Sequence, residues 1–362
     1  MLATEGPIDV TAESGQAEVR YVFLICSERC GSNLIAAVLG AHSRILSPPP
    51  YHFGRDVMAH LHFRDDPAAW EVVRRQLLER VRLQASKAAA EKLREFMEAH
   101  PLASPRQFAH FVYAGLEPKP GAHTVFVKEN NLHRQLAFVL ECFPAARFVF
   151  QVRDPRDYLV SAEARRGFWA GNKFGSLRRA LEVWREDQLG GLQVLGVLGP
   201  ERVFFQRYED LVKRPREVLE PLCAFIGVSF EESMLEFHSS EQAVRRGASG
   251  AARANVARPL MASNFGKYRT RLPRRKVRVV ESWLGDLMDR FGYERDVVEA
   301  GHTRTGISTL WPHWTEPFER LVNRETEPFY GDGQKRLQRL LRGQATILRR
   351  PYDATTPTDD RA

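Results

Sequence analysis

Cysteine is scarce. Four residues in a chain of 362 cannot form a disulfide scaffold, and no pair of Cys-x-x-Cys units stands at zinc spacing. A His-Glu-x-x-His motif is also absent, so no metal is expected. Long apolar runs are missing, since no stretch approaches the roughly 18–20 residues of a membrane span. The N-terminal MLATEGPIDVTAESGQAEV lacks the charged start and apolar centre of a secretion signal. Together these absences predict a soluble chain in a reducing cytoplasm. No repeat at solenoid periods and no low-complexity tract is present. Acidic charge is in deficit, with 45 Asp and Glu against 53 Lys and Arg and a formal net charge of +8. A basic balance suggests an anionic partner: nucleic acid, a membrane surface, or a phosphorylated or sulfated small molecule. That excess is local, because residues 241–280 hold eleven Lys or Arg and the single acid Glu241.

What is present reads as a globular chain. Hydrophobic residues make up 43% and charged residues 27%, which excludes a disordered chain or a fibre. Residues 1–18 are polar and expected to be flexible. The run Arg20–Ile25 is continuous and rich in β-branched and aromatic residues, the pattern of a strand buried on both faces. A polar loop, Cys26 to Ser32, and a helix from Asn33 to Leu39 follow it. Apolar positions at Trp70, Val73, Leu77, Val81, Leu93 and Phe96 predict one long amphipathic helix over 68–99, in a peripheral helical insertion covering about 56–115. Strands are expected at Thr124–Lys128, Arg147–Val152 and Arg202–Gln206. Helices are expected near 131–142, from Asp154-Pro155 onward, and at 176–195, 215–227 and 273–290. Ser239–Ser263 reads as a long loop. This alternation predicts an α/β fold with a central, mainly parallel sheet flanked by helices. Ligands in such folds sit at the carboxyl ends of strands, where Cys26 and Arg153 both fall.

The loop Cys26-Ser-Glu-Arg29-Cys30-Gly31-Ser32-Asn33 occupies the place of a phosphate-binding loop, between a buried strand and a helix N-terminus. Against the pattern G-x-x-x-x-G-K-[ST] it keeps only the second glycine. Ser32 stands for the lysine, and Asn33 for the magnesium-binding hydroxyl. The cation Arg29 offers another way to neutralise a phosphate, without metal.

With these residues in view the chain resembles the sulfotransferase family that uses 3′-phosphoadenosine-5′-phosphosulfate (PAPS). Ser27 to Leu34 resembles the family's 5′-phosphosulfate loop. Phe143 to Ser161 resembles its 3′-phosphate segment, a strand ending in Arg153-Asp-Pro with Ser161 eight positions after the arginine. Arg207-Tyr208-Glu209-Asp210-Leu211 resembles a third motif and Asn264-Phe-Gly-Lys267-Tyr268-Arg269 a fourth. The similarity covers roughly residues 20–295. It implies a P-loop NTPase-like sulfotransferase domain over 19–300, and it assigns nothing to the C-terminal extension 301–362. It also implies transfer of a sulfuryl group from PAPS to a hydroxyl by in-line displacement. The donor would be held by Arg29, Cys30, Gly31, Ser32, Asn33, Leu34, Arg153, Ser161, Tyr208, Lys267 and Arg269. Lys128, at a strand end, matches a lysine that contacts the transferring sulfonate, and Tyr208 or Phe265 would flank adenine.

Removal of the acceptor's proton needs a base. Here the chain departs from the resemblance, with Asn130 where cytosolic members carry histidine. His52 is the first candidate, because a neutral imidazole suits this work near pH 7, and Glu129 is the second. His42 is expected to cap or pack at the end of the first helix. The acceptor is a small-molecule, carbohydrate or peptidyl hydroxyl. Trp311, Trp314, Phe318, Phe329 and Tyr330 in the extension are candidates for an acceptor wall or a contact in a homo-oligomer. Competing readings are an atypical P-loop kinase, a nucleotide-binding protein without catalysis, and a nucleic-acid-binding protein. The last lacks an RNA-binding aromatic signature, a zinc module and a recognition helix.

Overall fold

The computed structural model describes residues 19–52, 67–101, 103–164, 176–240, 243–244, 247, 254–261 and 263–297. The start 1–18 and the extension 301–362 lie outside these residues, as do eleven of the 25 residues of the loop expected at 239–263. Its centre is β1 (Arg20–Cys26), every residue of which after Arg20 is buried. Side chains alternate across that strand. Tyr21, Phe23 and Ile25 join one core with Val125, Phe148 and Phe150. Val22, Leu24 and Cys26 join a second core on the opposite face with α1 (Ser32–Ala41). Burial on both faces explains why the run has no polar alternation.

The chain continues through β2 (Ile45–Leu46) to α2 (Pro67–Gln84) and α3 (Lys87–Ala99). The single helix expected over 68–99 is therefore two. Ser86 has extended backbone angles and its side chain accepts the Ala89 N–H, so it caps α3 and breaks the run. Next come α4 (Pro105–His110), a π-helical turn at Phe111–Gly115, β3 (Thr124–Lys128) and α5 (Leu136–Cys142). Leu77, Val81, Leu93, Phe108 and Phe138 from these helices cover the Phe23 face. After β4 (Arg147–Val152), α6 (Pro155–Glu163) is capped by Asp154, which accepts the Arg156 N–H, with Pro155 at its first position. Then follow α7 (Leu177–Leu198), β5 (Val203–Arg207), α8 (Tyr208–Lys213), α9 (Pro215–Ile226), the short α10 (Tyr268–Arg271) and α11 (Arg274–Arg290).

The five strands form one sheet in the order β2-β3-β1-β4-β5, and every pairing is parallel. Parallel register brings the strand ends to one edge: Lys128 pairs beside Leu24, Gln151 beside Cys26, and Arg207 beside Val152. The loops that follow β1, β3, β4 and β5 therefore converge there. His42 lies buried at the end of α1, its Nε2–H donating to the Ser229 carbonyl at 2.7 Å. Trp184 is fully buried in the core. Among the described residues no helix is long and apolar enough to cross a membrane, and no group of three His, Cys, Asp or Glu is placed to hold a metal.

Candidate active site

The loop after β1 turns through two left-handed residues, Arg29 (φ 70°) and Gly31 (φ 91°). Gly31 is the N-cap of α1. A side chain there would meet the Tyr208 ring at 2.4 Å, so only glycine fits both the backbone and the contact. The loop is fixed from below by buried amides. Gln151 donates to the Cys30 carbonyl at 2.9 Å, Gln206 donates to Gln151 at 2.7 Å, and Gln188 donates to the Ser27 hydroxyl at 2.7 Å. Sequence reading missed this floor. Its signal was a glutamine inside two otherwise apolar strands, Arg147–Val152 and Val203–Arg207. The Cys30 side chain is part of the floor, 1% exposed, and does not line the opening above. The Cys26 thiol is pushed well up by its hydrogen bond with Cys30 and by burial, which leaves it a packed, protonated group and not a nucleophile.

Above the loop lies a hollow of about 230 Å³. Arg29, Gly31, Ser32, Asn33, Leu34, Arg153, Ser161, Tyr208 and Lys267 line it together. These residues come from four separate segments of the chain. Arg153 is 8% exposed, and its Nη1 donates to the Arg29 carbonyl at 3.0 Å while the guanidinium lies 4.6 Å over the Tyr208 ring. Its buried Nε has no hydrogen-bond partner among the described residues. Ser161 accepts from Arg29 Nε at 3.0 Å, so its hydroxyl pairs with the loop arginine and not with Arg153.

A strap of residues 264–268 closes one side. Asp157 accepts the N–H groups of Gly266 and Tyr268, and Asn264 donates to the Tyr208 hydroxyl at 2.6 Å. Lys267 donates to the Asn264 side-chain oxygen. Its pKa is lowered by burial first, then by the cations Arg153 and Arg271, which marks the hollow as electropositive. Arg271 lines the hollow, whereas Arg269 does not. Arg269 bonds Asp296 at 3.2 Å beside a second hollow, where Phe265 also sits under Lys213. Val212, Val256, Pro259, Leu260 and Met261 form an aliphatic wall of the first hollow, which Phe265 does not line.

Lys128, His52 and Glu129 stand apart from this lining, at the end of β3. Lys128 donates to Asn130 at 3.3 Å, and Asn130 donates to Glu28 of the β1 loop at 2.9 Å. Both Glu129 oxygens accept the backbone N–H of His52, at 2.9 and 2.8 Å, and His52 Nδ1 lies 3.1 Å from Glu129 Oε2. The two candidate bases are thus one pair.

A family model described as "Sulfotransferase family" matches residues 21–232. Among curated proteins, an uncharacterized protein of Aquifex aeolicus (strain VF5) is 21% identical over 242 residues, 64% of this chain and 28% of its own length. A protein-tyrosine sulfotransferase of Drosophila melanogaster is 28% identical over 99 residues, 27% of this chain and 20% of its own. The chain thus spans about a quarter of the length of the curated relatives it matches. Among solved structures, the sulfotransferase domain of the Synechococcus PCC 7002 olefin synthase superposes with a TM-score of 0.57 at 21% identity, covering 78% of this chain and 98% of that one. The sulfotransferase domain from the curacin biosynthetic pathway gives 0.53 at 20% identity, covering 78% and 100%. At these identities the likeness is one of fold.

Proposed function

The chain belongs to the sulfotransferase family, and from that premise we propose that it transfers a sulfuryl group from PAPS to the hydroxyl of a small-molecule, carbohydrate or peptidyl acceptor. The observation that carries the choice of donor is Arg153. A guanidinium sealed in the hollow, with Nε unpartnered among the described residues and Lys267 and Arg271 beside it, suits a dianionic phosphate ester better than a neutral ribose hydroxyl. Arg153 and Lys267 would hold the 3′-phosphate. The backbone of Gly31 to Leu34 at the start of α1, with Arg29, would hold the 5′-phosphosulfate. The aliphatic wall of Val256 to Met261 would take the adenine.

The donor supplies the sulfuryl group: the acceptor oxygen bonds sulfur while the bond from sulfur to the 5′-phosphate breaks, its electron pair staying on that phosphate. This chain's residues have three tasks. Arg29 and Lys128 offset the charge that develops on the transferring and leaving oxygens. The helix start and strap orient the reactants in line. His52 takes the acceptor's proton.

Calorimetric titration without magnesium tests the reading. The expected result is tight binding of 3′-phosphoadenosine-5′-phosphate (PAP) and at least about tenfold weaker binding of ADP, a loss of about 1.4 kcal/mol. Arg153→Ala should remove that preference. Equal binding of both nucleotides, or binding of neither, overturns the proposal, and magnesium-dependent ADP binding would favour a kinase.

A further inference from the structure

Among the described residues three non-glycine positions adopt the left-handed backbone: Arg29, His52 (φ 55°) and Asn131 (φ 55°). All three belong to the loops around the ends of β1 and β3. Such conformations cost free energy and persist where the surroundings impose them. The π-helical turn at Phe111–Gly115 lies against the same corner, and π turns are frequent at functional sites. It brings the Tyr113 hydroxyl to 3.3 Å from Glu129 Oε1.

Glu129 is 1% exposed, while the His52 side chain keeps 17%. The carboxylate receives the His52 backbone N–H on both oxygens and the Tyr113 hydroxyl on one. Arg80 of α2 donates to the carbonyls of Tyr51 and His52, at 3.3 and 3.2 Å, and holds the same loop from the other side. A carboxylate engaged in this way cannot turn toward an acceptor. It can hold an imidazole: Nδ1 is buried within 3.1 Å of Oε2, and a small ring rotation completes the bond.

We propose that Glu129 is a positioning residue that holds His52 as the Nδ1-protonated tautomer, so that Nε2 is the atom that takes the acceptor's proton, with Tyr113 fixing the carboxylate in turn. The inference rests on the sulfotransferase reading, and it moves Glu129 from alternative base to support. When Nε2 gains the proton, the charge of the imidazolium faces the buried carboxylate through Nδ1–H. The arrangement follows the logic of a base oriented by a third group. In Glu129→Gln the backbone N–H keeps the amide oxygen, the NH₂ faces Nδ1, and the ring is driven to the Nε2-protonated tautomer, which cannot accept.

Two measurements test it. The first is long-range ¹H–¹⁵N spectroscopy of the histidine rings in the full chain without donor, at a pH where the rings are neutral, with His52 assigned by the signal lost in His52→Asn. The second is sulfate release from labelled PAPS, with water as the acceptor. The expected results are an Nδ1-protonated His52 in the wild type and its reversal in Glu129→Gln. Turnover in that variant should fall about 10²- to 10⁴-fold with KM for PAPS changed less than about threefold. Tyr113→Phe should keep the tautomer and lose turnover about two- to tenfold. An Nε2-protonated His52 in the wild type overturns the inference, as does turnover in a folded Glu129→Gln equal to wild type. If Glu129→Gln does not fold, the wild-type tautomer and the Tyr113→Phe rate decide. A wild type that neither binds PAP nor releases sulfate overturns the sulfotransferase reading instead, and the spectra still decide the pairing.

Discussion

Glu209 shows how far a single residue's role can depart from what its motif suggests. In the sequence it is one acid in a Tyr-Glu-Asp-Leu string. In the fold it is buried behind the strand edge, accepting the Asp154 N–H at 3.0 Å and the Tyr293 hydroxyl at 2.8 Å. It thus braces the turn that carries Arg153. Burial pushes its pKa up to about 7, against 4.5 in the open chain. The folded state therefore binds this proton more tightly than the unfolded state does, and stability falls as pH rises from about 4.5 to about 7, then levels off. The loss from this group is about 3 kcal/mol. Asp157 is raised by burial in the same sense, so a pH titration of the wild type alone would mix the two. Glutamine at 209 keeps an oxygen for the Asp154 N–H, turns its NH₂ to the Tyr293 hydroxyl oxygen, and does not titrate. Urea midpoints for the wild type and Glu209→Gln at about pH 5 and pH 8 separate them: the variant should lose markedly less stability across that interval. Parallel losses would mean that Glu209 is ionised at little cost.

At the scale of elements, periodicity carried the sheet. The expected strands at Thr124–Lys128 and Arg147–Val152 match β3 and β4, and Arg202–Gln206 is displaced by one residue. Buried parallel strands leave a strong signal because both faces must be apolar. The two-residue β2 was illegible, being held by pairing with β3 and by no pattern of its own. The break at Ser86 was legible only as a serine, because apolar spacing continues across it. A third case is the end of α1, where Gly40 stays inside the helix and His42 is the cap. Lys119, distant in sequence, donates to the carbonyls of Gly40, His42 and Ile45, at 2.8, 2.8 and 3.3 Å. The first two are acceptors at the end of α1, where a helix terminus leaves carbonyls open. Burial lowers the Lys119 pKa, consistent with a lysine drawn in to serve backbone. Lys119→Met keeps the stem and deletes the donors, and should cost about 1–3 kcal/mol in chemical denaturation. Because α1 begins at the anion loop, PAP affinity should also fall. An unchanged denaturation midpoint would show that water serves these carbonyls equally well.

Across the whole molecule, the local basic excess was plain in the sequence, but its division among sites was not. Arg269 and Arg271 are two positions apart on a short helix, a rotation of about 200°. One therefore faces Asp296, and the other lines the anion hollow. No composition count separates them, since the outcome depends on how Tyr268 packs in the core. Further along, Arg274 and Arg278 of α11 are exposed and outside the lining. Charges at such distances act through a field that salt screens over about 10 Å at 0.1 M, whereas a cation touching the nucleotide acts through contact. This separates two kinds of arginine. Arg271→Ser should weaken PAP binding several-fold at every ionic strength and flatten its salt dependence. Arg278→Ser should leave the dissociation rate unchanged and lower only the association rate, by less than about threefold, an effect lost at about 0.5 M salt. For the wild type, affinity for PAP should fall at least about tenfold between about 0.05 and 0.5 M salt. Stopped-flow titration across that range reads all three. PAP affinity indifferent to salt would mean that the cations of residues 241–280 serve an anionic acceptor or partner and not the donor.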